Sequence, residues 1–111
     1  MARVFISAAF SLQMLSPEAA HRVEIYPMSV ASVRHFWEDQ VEVVSAVGHA
    51  DTAAVVADML GFEVPAQRIS IHLEPGDLLI VAQLYGGRLP EGATSLPEGF
   101  DLRFVGVQVE S

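Results

Sequence analysis

The chain has 111 residues, 51% of them hydrophobic, which is the size and composition of one globular domain. Its net charge of −8, from 14 acidic residues against 6 arginines, excludes binding of duplex DNA through a broad basic face. It does not exclude a small anion held in a local pocket. Because there is no cysteine, disulfides, thiol nucleophiles and thiolate metal sites are excluded as well.

The first half of the chain predicts strands alternating with short helices. Runs of β-branched and aromatic residues, or alternating polar and apolar residues, predict strands, and apolar residues three or four apart predict helices. In chain order, the prediction is a strand at 3–7, a short helix at 11–15 capped by Ser11, a strand at 21–26 closed by Pro27, a helix at 29–37 and a strand at 41–47.

The second half predicts one longer helix and then mainly strands. The helix opens at Gly48-His49, and Gly61 supplies its C-terminal stop. The alternation over 68–73 and the continuous apolar run over 77–84 predict a hairpin around a tight turn. The remaining elements are a glycine- and proline-rich loop at 85–99 and a final strand at 102–109.

This order of elements predicts an α/β fold, with one domain over 1–111 whose mixed sheet packs against flanking helices. Two predicted strands run directly into helices, through turns at 7–11 and 48–52. In open α/β sheets ligands bind at such strand ends, where backbone N–H groups favour an anion. We therefore expect a ligand site at these turns.

Three segments hold the residues that carry chemistry. His49 follows Gly48 in a turn, where it can act as a general acid or be an ordinary surface histidine; Asp51 and Thr52 can cap the helix. Arg88 follows two glycines, with Glu91 three residues on, and the pair can serve a ligand or form a solvated ion pair.

The third segment is the turn after the first strand. The hydroxyl of Ser11 can hold a phosphate or simply cap a helix. His21, His35 and His72 have no metal-ligand spacing with one another or with His49, so neither a metal site nor a cofactor is expected.

The same segments resemble the viral ring nucleases that act as anti-CRISPR proteins, and their cellular relatives in type III CRISPR loci. The matching stretches are residues 4–15 (VFISAAFSLQML), 46–53 (AVGHADTA) and 83–94 (QLYGGRLPEGAT). They occur in order from the first strand to the last, so the resemblance covers nearly the whole chain. The Gly-His-x-x-Thr turn and the Arg-Leu-Pro-Glu-Gly loop are specific to it in combination.

The resemblance implies a homodimer that binds cyclic tetra-adenylate across its two-fold interface and cuts the ring without metal, leaving cyclic phosphate ends. It assigns catalysis to His49, Arg88 and Glu91. The ligand-binding residues that it implies are Ser7, Ala8, Ser11, Gly48, Asp51, Thr52 and Gly87. The chain departs from the expected pattern at two of them: Ala8 replaces an asparagine, and Asp51 replaces a small hydroxyl residue.

Two other functions stay open on the sequence. One is a sponge that sequesters a cyclic nucleotide without cutting it, and the other is a small dimeric regulator that acts by protein contact. No apolar run reaches the ~18 residues of a membrane-spanning helix, so no membrane partner is expected. Residues 1–15 resemble a signal peptide only weakly, because polar side chains interrupt the apolar stretch. We therefore expect a cytoplasmic protein, in the host cell if it is viral.

Overall fold

The computed structural model describes residues 3–111, so Met1 and Ala2 of the predicted domain lie outside the described residues. The chain forms one α/β domain in which a five-stranded mixed sheet packs against two α-helices, as the pattern predicts. Its elements are β1 (Val4–Ser7), β2 (Val23–Met28), α1 (Val30–Glu38), β3 (Val43–Ser45), α2 (Ala50–Leu60), β4 (Leu78–Tyr85) and β5 (Asp101–Val109), with a turn of 3-10 helix at Leu12–Met14.

The strand order β2-β5-β4-β1-β3 determines where the turns lie. β1 is parallel to both of its neighbours, β3 and β4, whereas β5 is antiparallel to β4 and β2. The carboxyl ends of β1, β3 and β4 therefore lie at one edge of the sheet. The chain leaves that edge in the turn after β1, the turn into α2 and the long loop between β4 and β5.

Both α-helices lie on one face of the sheet. Alternate strand residues such as Ile6 and Ile80 point toward them and are fully buried. Val33 of α1 and Val56 of α2 fill the same core, because apolar residues recur along each helix on one side. Gly61 ends α2 in the left-handed conformation with φ 75°, which confirms the predicted stop.

Irregular chain covers the opposite face. Phe5 and Leu79 point to that side, where Met14 of the 3-10 turn and Ile71 and Leu73 pack against them. The strand predicted over 68–73 is wrong, and so is the hairpin predicted from it. Both edges of β4 are already occupied by β1 and β5, so the segment buries alternate side chains without joining the sheet.

Proline does not end the second strand. Pro27 was predicted to close it, but β2 continues to Met28 and Pro27 pairs with Val105 of β5. A residue without an N–H is tolerated because, among the strands that the structure describes, β2 lies at the edge of the sheet and pairs on one side only.

A buried carboxylate ties the start of β1 to the start of β4. Asp77 is 2% exposed, and its oxygens accept hydrogen bonds from the backbone N–H of Arg3, from two nitrogens of the Arg3 guanidinium and from the backbone N–H of Glu74. Burial alone raises the pKa of Asp77, but the hydrogen bonds from Arg3 and Glu74 and the charge of Arg3 outweigh it and hold the pKa below its ordinary value. The side-chain hydrogen bond to Asp77, together with the charges of Asp77 and Glu74, raises the pKa of Arg3. Within residues 3–111, no helix combines the length and apolarity needed to cross a membrane.

Candidate functional site

His49 occupies the N-terminal boundary of α2. Its backbone has φ −105° and ψ 129°, and its carbonyl accepts the first helical hydrogen bond, from Ala53 N–H at 3.0 Å. Its imidazole makes no capping bond, and the side chain is exposed. Capping by Asp51 or Thr52 was therefore predicted wrongly: both lie inside the first turn of α2. In the described chain, the imidazole is therefore not used to cap the helix.

The loop after β4 is closed at its base. Gly86 has φ +113°, and a Cβ there would lie 3.0 Å from the Gly99 carbonyl oxygen and 3.0 Å from Phe100 Cα. The two ends of the loop therefore approach to backbone contact, which only glycine allows. Gly87 is also left-handed, with φ +115°, and leads directly into Arg88.

The loop is packed onto the domain although it has no regular structure. Leu89 is 9% exposed and belongs to the core on the helix face, and Ala93 and Leu96 pack against the same core. Arg88 precedes this buried residue and is exposed. Burial of the Leu89 side chain thus holds the backbone of the neighbouring Arg88 in place.

The turn into α2 and this loop line an open cavity of about 680 Å³. Its lining includes the three predicted catalytic residues, His49, Arg88 and Glu91, which come from segments about 40 residues apart in the chain. The remaining lining residues are Asp51, Thr52, Leu84, Gly87 and Leu89. A volume of this size is in the range of small-molecule sites. Leu84 and Leu89 were not predicted, because apolar residues in a strand and a loop carry no signal for a site.

In the described chain, the charged side chains that line the cavity form no ion pairs with one another. In the described chain, Arg88 forms no ion pair, so the solvated pair with Glu91 that the sequence allowed is absent. The carboxylate of Asp51 does have a partner: it accepts a hydrogen bond from the Gly92 N–H at 3.1 Å. Over residues 3–111, no group of three or more His, Asp or Glu side chains is arranged to hold a metal ion. Within residues 3–111, the side chains of Arg88, His49 and Glu91 are thus not engaged in ion pairs with other residues.

A second arginine lies beside the turn into α2. Arg68 Nε donates a hydrogen bond to the Gly48 carbonyl at 3.2 Å, and a Cβ on Gly48 would lie 3.3 Å from Arg68 Cγ. Gly48 therefore makes room for the arginine side chain immediately before His49. No sequence pattern indicates this contact, because residues 65–68 return along β3 only in the folded chain: Gln67 N–H donates to the Val47 carbonyl.

The ligand-binding residues that were predicted in the turn after β1 do not line this cavity. Ser7 is buried, and its hydroxyl accepts from Ala9 N–H at 3.5 Å, while Ser11 caps the 3-10 turn by accepting from Gln13 N–H at 3.2 Å. The capping role of Ser11 is thereby confirmed. Of the described residues, Ser7, Ala8, Ser11 and Gly48 are outside the cavity lining. The chain after Ser7 crosses toward the face opposite α2, and so the two turns do not form one site within a single chain.

Comparisons with known proteins agree with this architecture. A sequence model of the STIV B116-like family matches residues 4–106. Among solved structures, B116 of Sulfolobus turreted icosahedral virus (STIV) is similar, with a TM-score of 0.77 and 21% sequence identity over 96% of this chain and 99% of that one. At this identity the likeness establishes the fold. No match was found among curated proteins.

Proposed function

The chain belongs to the STIV B116-like family, and we propose that it is a ring nuclease that cleaves cyclic tetra-adenylate without metal and so ends type III CRISPR signalling. One observation carries the proposal: a single cavity receives His49 from the turn into α2 and Arg88 with Glu91 from the loop after β4. The sequence resemblance assigns the same three residues to ring cleavage.

The reaction needs little from the protein beyond position and charge. A ribose 2′-oxygen attacks the neighbouring phosphorus in line, and the bond from phosphorus to the 5′-oxygen breaks. Glu91 accepts the proton of the 2′-hydroxyl, His49 donates a proton to the leaving 5′-oxygen, and Arg88 stabilises the charge on the phosphorane. Each cut leaves a 2′,3′-cyclic phosphate on one side and a 5′-hydroxyl on the other, so atoms and charge balance.

The proposal includes a homodimer. A ring of four equivalent nucleotides has two-fold symmetry, and a two-fold dimer presents the same site to each half of the ring. The turn after β1 lies outside the cavity of its own chain. A ligand that spans two chains can reach Ala8 and Ser11, which stay proposed ligand contacts, whereas the buried Ser7 can act only by shaping this turn.

The test is to incubate the purified protein with cyclic tetra-adenylate in EDTA and to separate the products by chromatography. Linear adenylates with 2′,3′-cyclic phosphate ends support the proposal, and products with any other ends contradict the chemistry. A thermal shift assay with the same ligand separates the alternatives. Since ligand at 100 times its Kd stabilises by about 2.7 kcal/mol, a shift without cleavage indicates a sponge. No shift with cyclic oligoadenylates of any size indicates a regulator that acts by protein contact.

A further inference from the structure

In residues 3–111, one hydrogen bond joins α2 to the loop that carries Arg88 and Glu91. In the part of the chain that the structure describes, the other hydrogen bonds of this loop are local turns, such as Ala93 N–H to the Pro90 carbonyl. The bond to α2 runs from Gly92 N–H to Asp51 Oδ1 at 3.1 Å and joins residues 41 positions apart. It is therefore the polar link between the two halves of the cavity.

This bond acts on the peptide unit next to a proposed catalytic residue. The N–H of Gly92 belongs to the peptide that it shares with Glu91, so fixing that N–H also fixes the plane that contains the Glu91 carbonyl carbon. On the other side of the bond, Asp51 lies in the first turn of α2, two residues after His49. A carboxylate accepting a backbone N–H forms a charge-assisted bond, which is stronger than one between neutral groups.

We propose that Asp51 is a positioning residue: it latches the loop onto α2 so that Arg88 and Glu91 face His49 across the cavity. Its role in turnover rests on the proposed ring-nuclease function, whereas the latch itself does not. The latch also explains why an acidic residue is compatible with an anion-binding cavity. One oxygen of the carboxylate is engaged by the loop, and the first turn of a helix is a favourable place for its charge.

Two substitutions separate the latch from other roles of the side chain. Asp51→Ala removes the acceptor. Asp51→Asn removes the charge but keeps an oxygen that can accept the Gly92 N–H. The matched control is Asp58→Ala, because Asp58 is an exposed acid on the same helix with no hydrogen-bond partner in the described chain.

The first measurement is amide hydrogen exchange at Gly92, which needs no ligand. Asp51→Ala is expected to speed exchange at Gly92 by roughly 10-fold or more, since a hydrogen bond to a charged group is lost. Exchange in Asp51→Asn is expected to stay within about 3-fold of the wild type, and Asp58→Ala to match it. Unchanged exchange at Gly92 in Asp51→Ala overturns the latch.

The second measurement is turnover of cyclic tetra-adenylate. Asp51→Ala is expected to lower kcat by about 10- to 100-fold through misplacement of the loop, with KM changed much less, and Asp51→Asn is expected to restore most of the rate. Faster exchange with unchanged kcat overturns the positioning role. If the wild-type protein cuts no ring, the proposed function fails, and the exchange result alone then decides the latch.

Discussion

Replacement of Asp77 by asparagine is expected to destabilise the domain strongly, although Asp77 is far from the cavity. The carboxylate accepts four hydrogen bonds: Arg3 N–H at 3.0 Å, Arg3 Nε at 3.3 Å, Arg3 Nη2 at 2.6 Å and Glu74 N–H at 2.8 Å. An amide keeps one oxygen acceptor and turns the other oxygen into a donor that faces N–H groups.

The magnitude follows from the bonds that are lost. A hydrogen bond to a charged group contributes about 1.5–3 kcal/mol. In Asp77→Asn, the amide NH₂ group faces N–H donors, so at least one of these hydrogen bonds becomes an unfavourable contact between two donors. We expect Asp77→Asn to lower the free energy of unfolding by about 2–4 kcal/mol, a large part of the 5–15 kcal/mol typical of a domain. The corresponding fall in Tm is roughly 10–25 °C.

The free energy of unfolding that Asp77→Asn loses should depend on pH in a direction set by the pKa of Asp77. Because the folded-state pKa of Asp77 is held below its ordinary value of 3.8, the carboxylate contributes stability above about pH 4 and loses it as the pH falls through the folded pKa. The gap in unfolding free energy between wild type and Asp77→Asn should therefore be full at pH 7 and shrink below pH 4. Urea unfolding followed by circular dichroism at several pH values measures it. A gap under about 0.5 kcal/mol at pH 7, or one that widens in acid, would show that the hydrogen bonds to the Asp77 carboxylate do not stabilise the fold.

Two further predictions concern the loop after β4. Leu89→Ala should lower the free energy of unfolding by about 2–3 kcal/mol, because it empties a core position, and should also weaken ligand binding; a Tm within 1 °C of the wild type, measured by scanning fluorimetry, would contradict this. Arg88→Ala should leave the Tm of the ligand-free protein within about 1 °C, because the guanidinium is exposed and unpaired in the described chain, while ring cleavage falls by about 100-fold. Unfolding of the ligand-free variant would make Arg88 a structural residue.

The elements that the sequence predicts well are those whose signal is local. α2 begins after Gly48-His49 and ends at Gly61, since an apolar stripe and a left-handed stop depend only on nearby residues. β1 follows from its run of β-branched and aromatic residues in the same way. In such segments, local preference and the final fold agree.

The errors arise where the hydrogen-bond partner decides the structure. Alternation over residues 68–73 correctly indicates that Ile71 and Leu73 are buried, but it carries no information about which strand edge is free. Pro27 is compatible with a strand only because β2 is at the edge of the sheet, and that position depends on the pairing with β5. Which strand edge is free, and which strand lies at the edge of the sheet, are both determined by the pairing of all five strands.

In the candidate site, too, local sequence features indicate some residues, whereas other contacts depend on the whole fold. His49 and Arg88 could be selected from the sequence, because glycines precede them at predicted turns and loops. Their meeting in one cavity follows from the parallel arrangement of β3 and β4 on either side of β1. The bond from Gly92 to Asp51 and the contact of Arg68 with Gly48 depend on backbone geometry that no spacing in the sequence encodes.

The proposed role of His49 in ring cleavage is tested by single-turnover cleavage of cyclic tetra-adenylate in EDTA by wild type, His49→Ala and His72→Ala. His72 is the matched control, because its side chain is exposed on the segment that covers the other face of the sheet. We expect His49→Ala to bind the ring but to cut it about 10²–10⁴-fold more slowly, whereas His72→Ala cuts it at the wild-type rate. Equal rates for His49→Ala and the wild type would show that His49 is not the general acid of ring cleavage.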